Sequence, residues 1–270
     1  MERTIAFVGG GNMARALIEG LLAAKVFPPE RIVVAEPVAG RREVLKRDLG
    51  VGVTGDNREA VGQAEVVVIA VKPQAAAEVF GAIPSSDWNG RLIVSIMAGV
   101  STSSLERMAG GAPAVVRVMP NTPALVGAGV SAACPGRYAG AEDMALAREI
   151  LSPSGRVVEL EEGYMDAVTA VSGSGPAYLF AFTEALTAAA ERIGLPEETA
   201  RELAVGTVAG AARLLEKSAA GAARLREMVT SPGGTTEAAL AVLNRRGFEA
   251  VIAEAVRAAR DRSRELGEKE

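Results

Sequence analysis

The chain has 270 residues, 49% hydrophobic and 23% charged, the balance of a globular protein long enough for two domains, which excludes a disordered or fibrous chain. Its formal net charge of -4 gives no general attraction to nucleic acid or anionic lipid, so neither is expected as a partner. The absence of histidine and the single cysteine, Cys134, exclude histidine-ligated zinc, hydrolysis with a histidine base, an intrachain disulfide and a cysteine metal cluster.

The beginning of the chain predicts its location. An apolar segment follows the first residues directly, without the basic-then-apolar order of a signal peptide. No apolar run approaches the length of a membrane span. We therefore expect a cytoplasmic protein with no membrane association.

The first half of the chain alternates short apolar strands with helices. Strands are predicted at 4–8, 32–35, 66–71, 92–96 and 115–118, and helices at 13–24, 41–49 and 75–80. Further edge strands are expected at 127–131 and 155–160, with a helix at 141–151 between them. This order predicts a doubly wound parallel sheet joined by right-handed crossovers, an α/β fold.

The second half is predicted to be all α. From Gly163 the strand pattern stops, and helices are expected at 177–193, 196–216, 219–228, 236–244 and 248–266. We expect domains at 1–162 and 163–270, the second smaller. Its helices carry apolar residues on more than one face, including Leu179, Phe180 and Phe182. An isolated small bundle cannot hide them all, which predicts dimerisation through the helices.

A glycine-rich turn follows the first strand. The run Gly9-Gly10-Gly11-Asn12-Met13-Ala14 fits the GxGxxG/A pattern, in which glycine lets backbone N–H groups approach a pyrophosphate at a helix N-terminus. The strand–turn–helix context predicts a Rossmann-like dinucleotide-binding domain; the alternative is a glycine turn without a ligand. The expected contacts are Gly9, Gly11, Asn12, Met13 and Ala14.

The end of the second strand bears on the choice of dinucleotide. Glu36 lies where a carboxylate accepts hydrogen bonds from the adenosine ribose, which favours NADH. Arg41 and Arg42 follow closely and could instead receive the extra phosphate of NADPH, so the choice between NADH and NADPH stays open. Alternatively, Glu36 is only a solvated strand end.

The third predicted strand, 66–71, is expected to end beside the first strand, where a doubly wound sheet binds its cofactor. Ala70, Val71, Lys72 and Pro73 are therefore expected to contact the dinucleotide. Asn57, in the preceding loop, is either an adenosine-side contact or a turn former.

Four more runs make the pattern specific. They are Met97-Ala98-Gly99, Met119-Pro120-Asn121-Thr122-Pro123, SGSGPAY from Ser172 to Tyr178, and TSPGGTT from Thr230 to Thr236. Together with the glycine turn and the run that ends at Pro73, they closely resemble pyrroline-5-carboxylate reductase over essentially the whole chain. The resemblance adds Met97, Ala98, Gly99 and Asn121 to the expected cofactor contacts.

The resemblance implies an oxidoreductase of proline biosynthesis. Its reaction would be hydride transfer from NADPH or NADH to the C=N bond of 1-pyrroline-5-carboxylate, a cyclic imino acid, to give L-proline. It also implies a homodimer of interlocked helical domains, commonly assembled further into a decamer. One departure concerns the cofactor, because Glu36 stands where NADPH-preferring members usually have small polar or basic residues.

The expected substrate site lies in the helical half. Gly233 and Gly234 precede a helix that starts near Thr235 or Thr236, and its first N–H groups could bind the carboxylate of a small acid, although a threonine there could simply cap the helix. By resemblance, Gly234 and Thr235 supply N–H groups and the Thr236 hydroxyl orients the imine as the catalytic group. Small residues at Ser172 and Ser174 would admit a nicotinamide ring or a partner helix.

The sequence also allows two other functions. A β-hydroxyacid dehydrogenase would need a catalytic lysine in the helical half, where Lys217 alone precedes the tail, in a polar helix end. A non-catalytic dinucleotide sensor would keep the glycine turn but would not need the Gly233-Gly234-Thr235-Thr236 pocket.

Overall fold

A computed structural model describes residues 3–267 of the chain. Within them, eight strands form one sheet in the order β3-β2-β1-β4-β5-β6-β7-β8. The strands are β1 Ile5–Val8, β2 Ile32–Ala35, β3 Gly52–Thr54, β4 Val66–Ile69, β5 Leu92–Ser95, β6 Ala114–Met119, β7 Gly129–Pro135 and β8 Gly155–Glu159. All neighbours are parallel except β6 and β7. The predicted doubly wound sheet is confirmed, with the last two strands reversed relative to the others.

Helices cover both faces of this sheet. They are α1 Asn12–Ala23, α2 Ala39–Leu49, α3 Asn57–Gly62, α4 Ala76–Gly81, α5 Thr102–Ala109, α6 Ala141–Leu151 and the short α7 Met165–Val168. Side chains alternate between the faces of a strand. Ile5 and Phe7 of β1 therefore pack in the cluster that includes α1 and α6, while Ala6 and Val8 pack with α3, α4 and α5.

Some expected elements differ in the structure. β4 ends at Ile69 instead of continuing to Val71. β7 pairs on both sides and so is not an edge strand. Asn57 begins α3 rather than lying in a loop, because the Asp56 carboxylate accepts the N–H groups of the first helical turn and caps a helix only six residues long.

Packing divides the chain into two compact units. Of the described residues, the first unit contains 3–174 and 259–267, and the second is Gly175–Ala258. The division after residue 162, which follows the change in secondary-structure pattern rather than packing, stays a prediction. Among residues 3–267, none of the helices combines the length and the apolar character needed to cross a membrane.

The second unit is helical and poorly buried on its own. Its helices are α8 Gly175–Arg192, α9 Glu197–Lys217, α10 Ala222–Met228, α11 Thr235–Arg245 and the first part of α12 Phe248–Gly267. Of its described residues, Ala200 and Ala204 alone are buried, while Leu179, Phe180 and Phe182 are exposed. The excess of apolar surface that the sequence predicts is therefore present.

Candidate active site

The turn between β1 and α1 is built around glycine. Gly9 has φ +100°, and a Cβ atom placed on it would lie 2.7 Å from the carbonyl oxygen of Ala70. Any other residue would therefore strain the backbone where the turn passes Ala70. The Gly9 N–H donates to the Ala35 carbonyl at 2.8 Å, and the Ala70 N–H donates to the Val8 carbonyl at 2.8 Å. The turn is thus tied to the carboxyl ends of β2 and β4.

The start of α1 suits a pyrophosphate. Its N-cap is Gly11, which offers no side-chain cap, and its first turn contains no acidic residue. A Cβ atom at Gly11 would meet nothing within 4 Å. The first N–H groups of a helix have no intrahelical acceptor and lie at its positive end, so this open glycine N-terminus fits a dinucleotide. Asn12 is exposed, Met13 is half-buried and Ala14 is buried.

Glu36 is a buried part of the same turn. Its Oε2 accepts the Gly10 N–H at 3.1 Å and its Oε1 accepts the Val38 N–H at 3.1 Å, while the residue is 3% exposed. Glu36 is therefore not a solvated strand end. Two carboxylate oxygens can accept about four hydrogen bonds, so capacity for ribose hydroxyls remains.

The two arginines beside Glu36 differ. Arg42 Nη1 donates to the carbonyl oxygens of Glu36 at 2.7 Å and Pro37 at 2.9 Å, so this guanidinium is held on the backbone. Arg41 has a side chain 64% exposed, with Nη1 3.8 Å from Glu36 Oε1. Arg41 is consequently the one whose charge can reach outward to an anion.

The other expected cofactor contacts lie mostly in loops after the strands. Ala70 and Val71 are half-buried, Lys72 is exposed, and Pro73 starts a short 3₁₀ turn. After β5, Met97 is 2% exposed, and Gly99 has φ +82°. Asn57 is half-buried at the start of α3, which follows β3.

Asn121 joins three segments of the first unit. Its Oδ1 accepts the Val130 N–H at 2.9 Å, and its Nδ2 donates to the Ser172 carbonyl at 3.2 Å. Its amide thus holds the loop after β6 against the start of β7 and the SGSG run. Contact with a cofactor stays a prediction for this residue.

The SGSG run starts in a π turn, Thr169–Gly173, which follows α7 directly. The Ser174 N–H donates to the Thr169 carbonyl at 2.8 Å, and a Cβ atom at Gly173 would lie 2.6 Å from Met119 Cε. Glycine there lets the turn approach the end of β6. Single π turns are frequent at functional sites. Ser172, within the turn, and Ser174, directly after it, are both half-buried.

The second open helix start lies in the second unit. Gly233 has φ +70°, and its N–H donates to Glu237 Oε2 at 2.7 Å. Gly234 is the N-cap of α11, offers no side-chain cap, and donates its N–H to the Ser231 carbonyl at 3.0 Å. Thr235 and Thr236 follow as the first helical residues, whose N–H groups have no intrahelical acceptor. A carboxylate fits this position.

Family models match both halves. Residues 162–266 match the model described as pyrroline-5-carboxylate reductase dimerisation. Residues 4–99 match the model described as NADP oxidoreductase coenzyme F420-dependent.

Full-length relatives agree with these matches. The chain is 45% identical over 271 residues to pyrroline-5-carboxylate reductase of Synechocystis sp., covering 100% of both. It is 46% identical over 269 residues to that of Pseudomonas aeruginosa, covering 98% of this chain and 97% of the relative. The chain belongs to the pyrroline-5-carboxylate reductase family.

Solved structures of the family superimpose closely. The reductase from Coxiella burnetii is 38% identical with a TM-score of 0.92, and the match covers 98% of this chain and 99% of that one. The Plasmodium falciparum enzyme, solved with NADP bound, is 31% identical with a TM-score of 0.88 and covers 98% of each chain. A nicotinamide dinucleotide is thus the cofactor class of this family fold, and the resemblance inferred from the sequence is confirmed.

One charged cluster in the first unit was not predicted from the sequence. Arg117, in β6, is 6% exposed, and its Nη1 lies 3.2 Å from Glu162 Oε1. The Glu162 carboxylate also accepts the N–H and the hydroxyl of Thr102, each at 2.7 Å. An arginine inside an otherwise apolar strand was the feature that could have revealed it, because such residues are rarely buried without a partner.

Cys134 lies opposite Arg117 in the β6–β7 pair and is buried, as free cysteines commonly are because they pack as small apolar residues. Burial, and then the negative charge of Glu162, raise the pKa of the Cys134 thiol to about 11. The thiol is therefore protonated and a poor nucleophile near neutral pH.

Proposed function

We propose that this chain transfers hydride from NADH or NADPH to the C=N bond of 1-pyrroline-5-carboxylate and so forms L-proline, the last step of proline biosynthesis. One observation carries the proposal: in a chain of this family, the helix starts at Gly11 and at Gly234, which lie in the glycine-rich runs, have no side-chain cap on their first N–H groups. The first suits a dinucleotide pyrophosphate and the second a small carboxylate.

The first unit would hold the cofactor, which supplies the hydride when bound. Gly11 and Asn12 would place backbone N–H groups at the pyrophosphate, with Met13 and Ala14 following in the same first turn of α1. The Gly9 N–H is engaged by the Ala35 carbonyl, so Gly9 would contribute the close passage of the turn and not a donor. Glu36 would accept the ribose hydroxyls, which favours NADH. The remaining proposed contacts are the loop residues Asn57, Ala70, Val71, Lys72, Pro73, Met97, Ala98, Gly99 and Asn121.

The second unit would hold the substrate carboxylate. Thr235 and Thr236 would donate first-turn N–H groups, and the Thr236 hydroxyl would orient the imine nitrogen and stabilise the product amine. The N–H groups of Gly233 and Gly234 are engaged by Glu237 and Ser231, so they would contribute only if those bonds break. Ser172 and Ser174, which belong to the first unit, would leave room for the flat nicotinamide ring or for a partner helix.

No protein acid is required for the chemical step. A cyclic imine that binds as its protonated iminium is already electrophilic, which suits a chain without histidine. The residues of the chain then have to hold donor and acceptor in line and exclude water.

The exposed apolar helices support oligomerisation, and we infer a homodimer that completes the pocket. The matched dimerisation model at 162–266 supports this inference. A decamer and a cytoplasmic location stay predictions.

The function is tested by mixing the purified protein with 1-pyrroline-5-carboxylate and either NADH or NADPH. Oxidation of the cofactor is followed by the loss of its absorbance. Thr236→Ser keeps the hydroxyl, whereas Thr236→Val keeps the shape and removes it. We expect the valine variant to lose on the order of 100-fold in kcat, within the range of one positioned polar group, and the serine variant to lose far less. No oxidation with either cofactor would refute the function, while equal losses in both variants would refute the role of the hydroxyl.

A further inference from the structure

The end of α12 is fixed to the segment that leads into the SGSG run. Ser263 is 5% exposed, and its Oγ donates to Asp166 Oδ1 at 2.8 Å. Arg264 Nε lies 3.7 Å from Asp166 Oδ2. Both carboxylate oxygens of Asp166, in α7, therefore interact with the last turns of α12.

The same helix end meets the loop after β5. A Cβ atom on Gly267 would lie 2.8 Å from the carbonyl oxygen of Gly99, and a Cβ atom on Gly99 would lie 3.5 Å from the Gly267 nitrogen. Two glycines thus allow backbone to pack on backbone. Gly99 has φ +82°, which glycine adopts without strain, but glycine loses more conformational freedom on ordering than any other residue. Packing against Gly267 therefore helps to keep the loop in one conformation.

We propose that residues 263–267, the α12 end, form a positioning element for the dinucleotide. Asp166 holds the α12 end through Ser263 and Arg264, and the α12 end supports the Met97-Ala98-Gly99 loop in its binding conformation. Ordering a loop before binding removes an entropic cost from the binding step. This inference rests on the cofactor role proposed above for Met97, Ala98 and Gly99.

The first test compares Asp166→Ala with Asp166→Asn. Asparagine keeps an acceptor for Ser263 and loses only the interaction with the mostly exposed Arg264, which contributes little. We expect the alanine variant to raise the calorimetric Kd for NADH and NADPH about three- to tenfold, which corresponds to the net contribution of one typical intramolecular hydrogen bond. The asparagine variant should stay within about twofold, because the conservative change restores the bond.

A second readout needs no cofactor. In the cofactor-free protein, hydrogen exchange of the amides in the Met97-Ala98-Gly99 loop should accelerate in Asp166→Ala and not in Asp166→Asn. When the cofactor concentration is varied, the KM for NADH or NADPH should change more in Asp166→Ala than kcat does, since the proposed role is in binding.

Gly267→Ala disrupts the contact between Gly267 and Gly99, and Gly81→Ala is its matched control. Gly81 is exposed in α4, and a Cβ atom there would meet nothing within 4 Å. We expect Gly267→Ala to raise the Kd and the loop exchange rate, and Gly81→Ala to change neither.

The outcomes separate this inference from the proposed function. Wild-type Kd and loop exchange in both Asp166→Ala and Gly267→Ala would overturn the inference. A wild-type chain that binds dinucleotide but does not reduce the imine would refute the proposed substrate, while the Kd comparison would still decide the role of the α12 end. A wild-type chain that binds neither dinucleotide would overturn both.

Discussion

The Glu36 carboxylate accepts the Gly10 N–H at 3.1 Å, so the acidic end of β2 and the glycine turn after β1 form one hydrogen-bonded unit. The carboxylate that would select the cofactor is therefore held in place by backbone N–H groups of the chain itself. Glu36 is also 3% exposed, which limits the screening of its charge by water.

Glu36→Gln is expected to shift the cofactor preference toward NADPH. Glutamine keeps an acceptor for one of the two backbone N–H groups but removes the charge that would repel the extra phosphate. The ratio of kcat/KM for NADPH to that for NADH should rise on the order of tenfold, about 1.4 kcal/mol. Glu43→Gln, an exposed change in α2, should leave this ratio unaltered. An unchanged ratio in Glu36→Gln would mean that other groups, such as Arg41, determine the cofactor preference.

Gly9→Ala and Gly11→Ala should fail in different ways. At Gly9 the φ of +100° and the approach of the Ala70 carbonyl should lower the free energy of unfolding by about 1–3 kcal/mol. At Gly11, where φ is -72° and a Cβ meets nothing within 4 Å, stability should fall by less than about 1 kcal/mol.

The Gly11 variant should instead weaken dinucleotide binding, because its methyl group occupies the space in front of α1. Urea denaturation and calorimetric titration separate the two quantities. Unchanged affinity in Gly11→Ala would show that the dinucleotide does not lie against this residue.

The alternation of strands and helices along the first half of the sequence was sufficient to predict the sheet, because strands buried on both faces read as unbroken apolar runs. β2 and α6 have the predicted limits. β3 and α5 were missed. β3 is three residues long and includes Gly52, too short for a periodic pattern, and α5 has eight residues of mixed polarity.

The site was predictable where glycine marks a backbone requirement, as at Gly9 and Gly233. The partners of polar side chains were not. Glu36 was placed correctly at the end of β2, but its bonds to Gly10 and Val38 depend on the conformation of the turn. The contacts of Asp166 with the α12 end join residues almost a hundred positions apart. Local patterns in a single sequence do not indicate which distant residues will be in contact.

Phe180→Glu is expected to dissociate the proposed dimer. Phe180 is 63% exposed in the second unit, and a charge there would have to be desolvated in an apolar interface. Sedimentation should show a shift to monomer, with activity lost in parallel if the pocket is completed by the partner. Val158→Glu makes the same kind of change at a residue 48% exposed in β8, and should leave the assembly intact. A dimer that survives Phe180→Glu would place the interface elsewhere.

Glu162→Gln should destabilise the first unit by about 2–4 kcal/mol, because it leaves the buried Arg117 without its counter-charge. Glu19→Gln is the control, since Arg15 and Glu19 form a pair with side chains 36% and 41% exposed. Removing that pair should cost less than about 1 kcal/mol. If urea denaturation shows equal losses in the free energy of unfolding for Glu162→Gln and Glu19→Gln, Glu162 contributes through packing rather than charge.

Cys134 should make stability fall at alkaline pH. The folded pKa of the thiol is raised from the ordinary value of 9.0 to about 11, so between these values the unfolded chain loses the proton and the folded chain keeps it. The contribution of Cys134 to the free energy of unfolding is therefore fully present below pH 9 and is lost as the pH rises toward about 11, up to about 2–3 kcal/mol. Subtracting the pH profile of Cys134→Ala removes the titration of the other groups. Parallel profiles for the two proteins would mean that the thiol titrates alike in both states, and that neither burial nor Glu162 affects it.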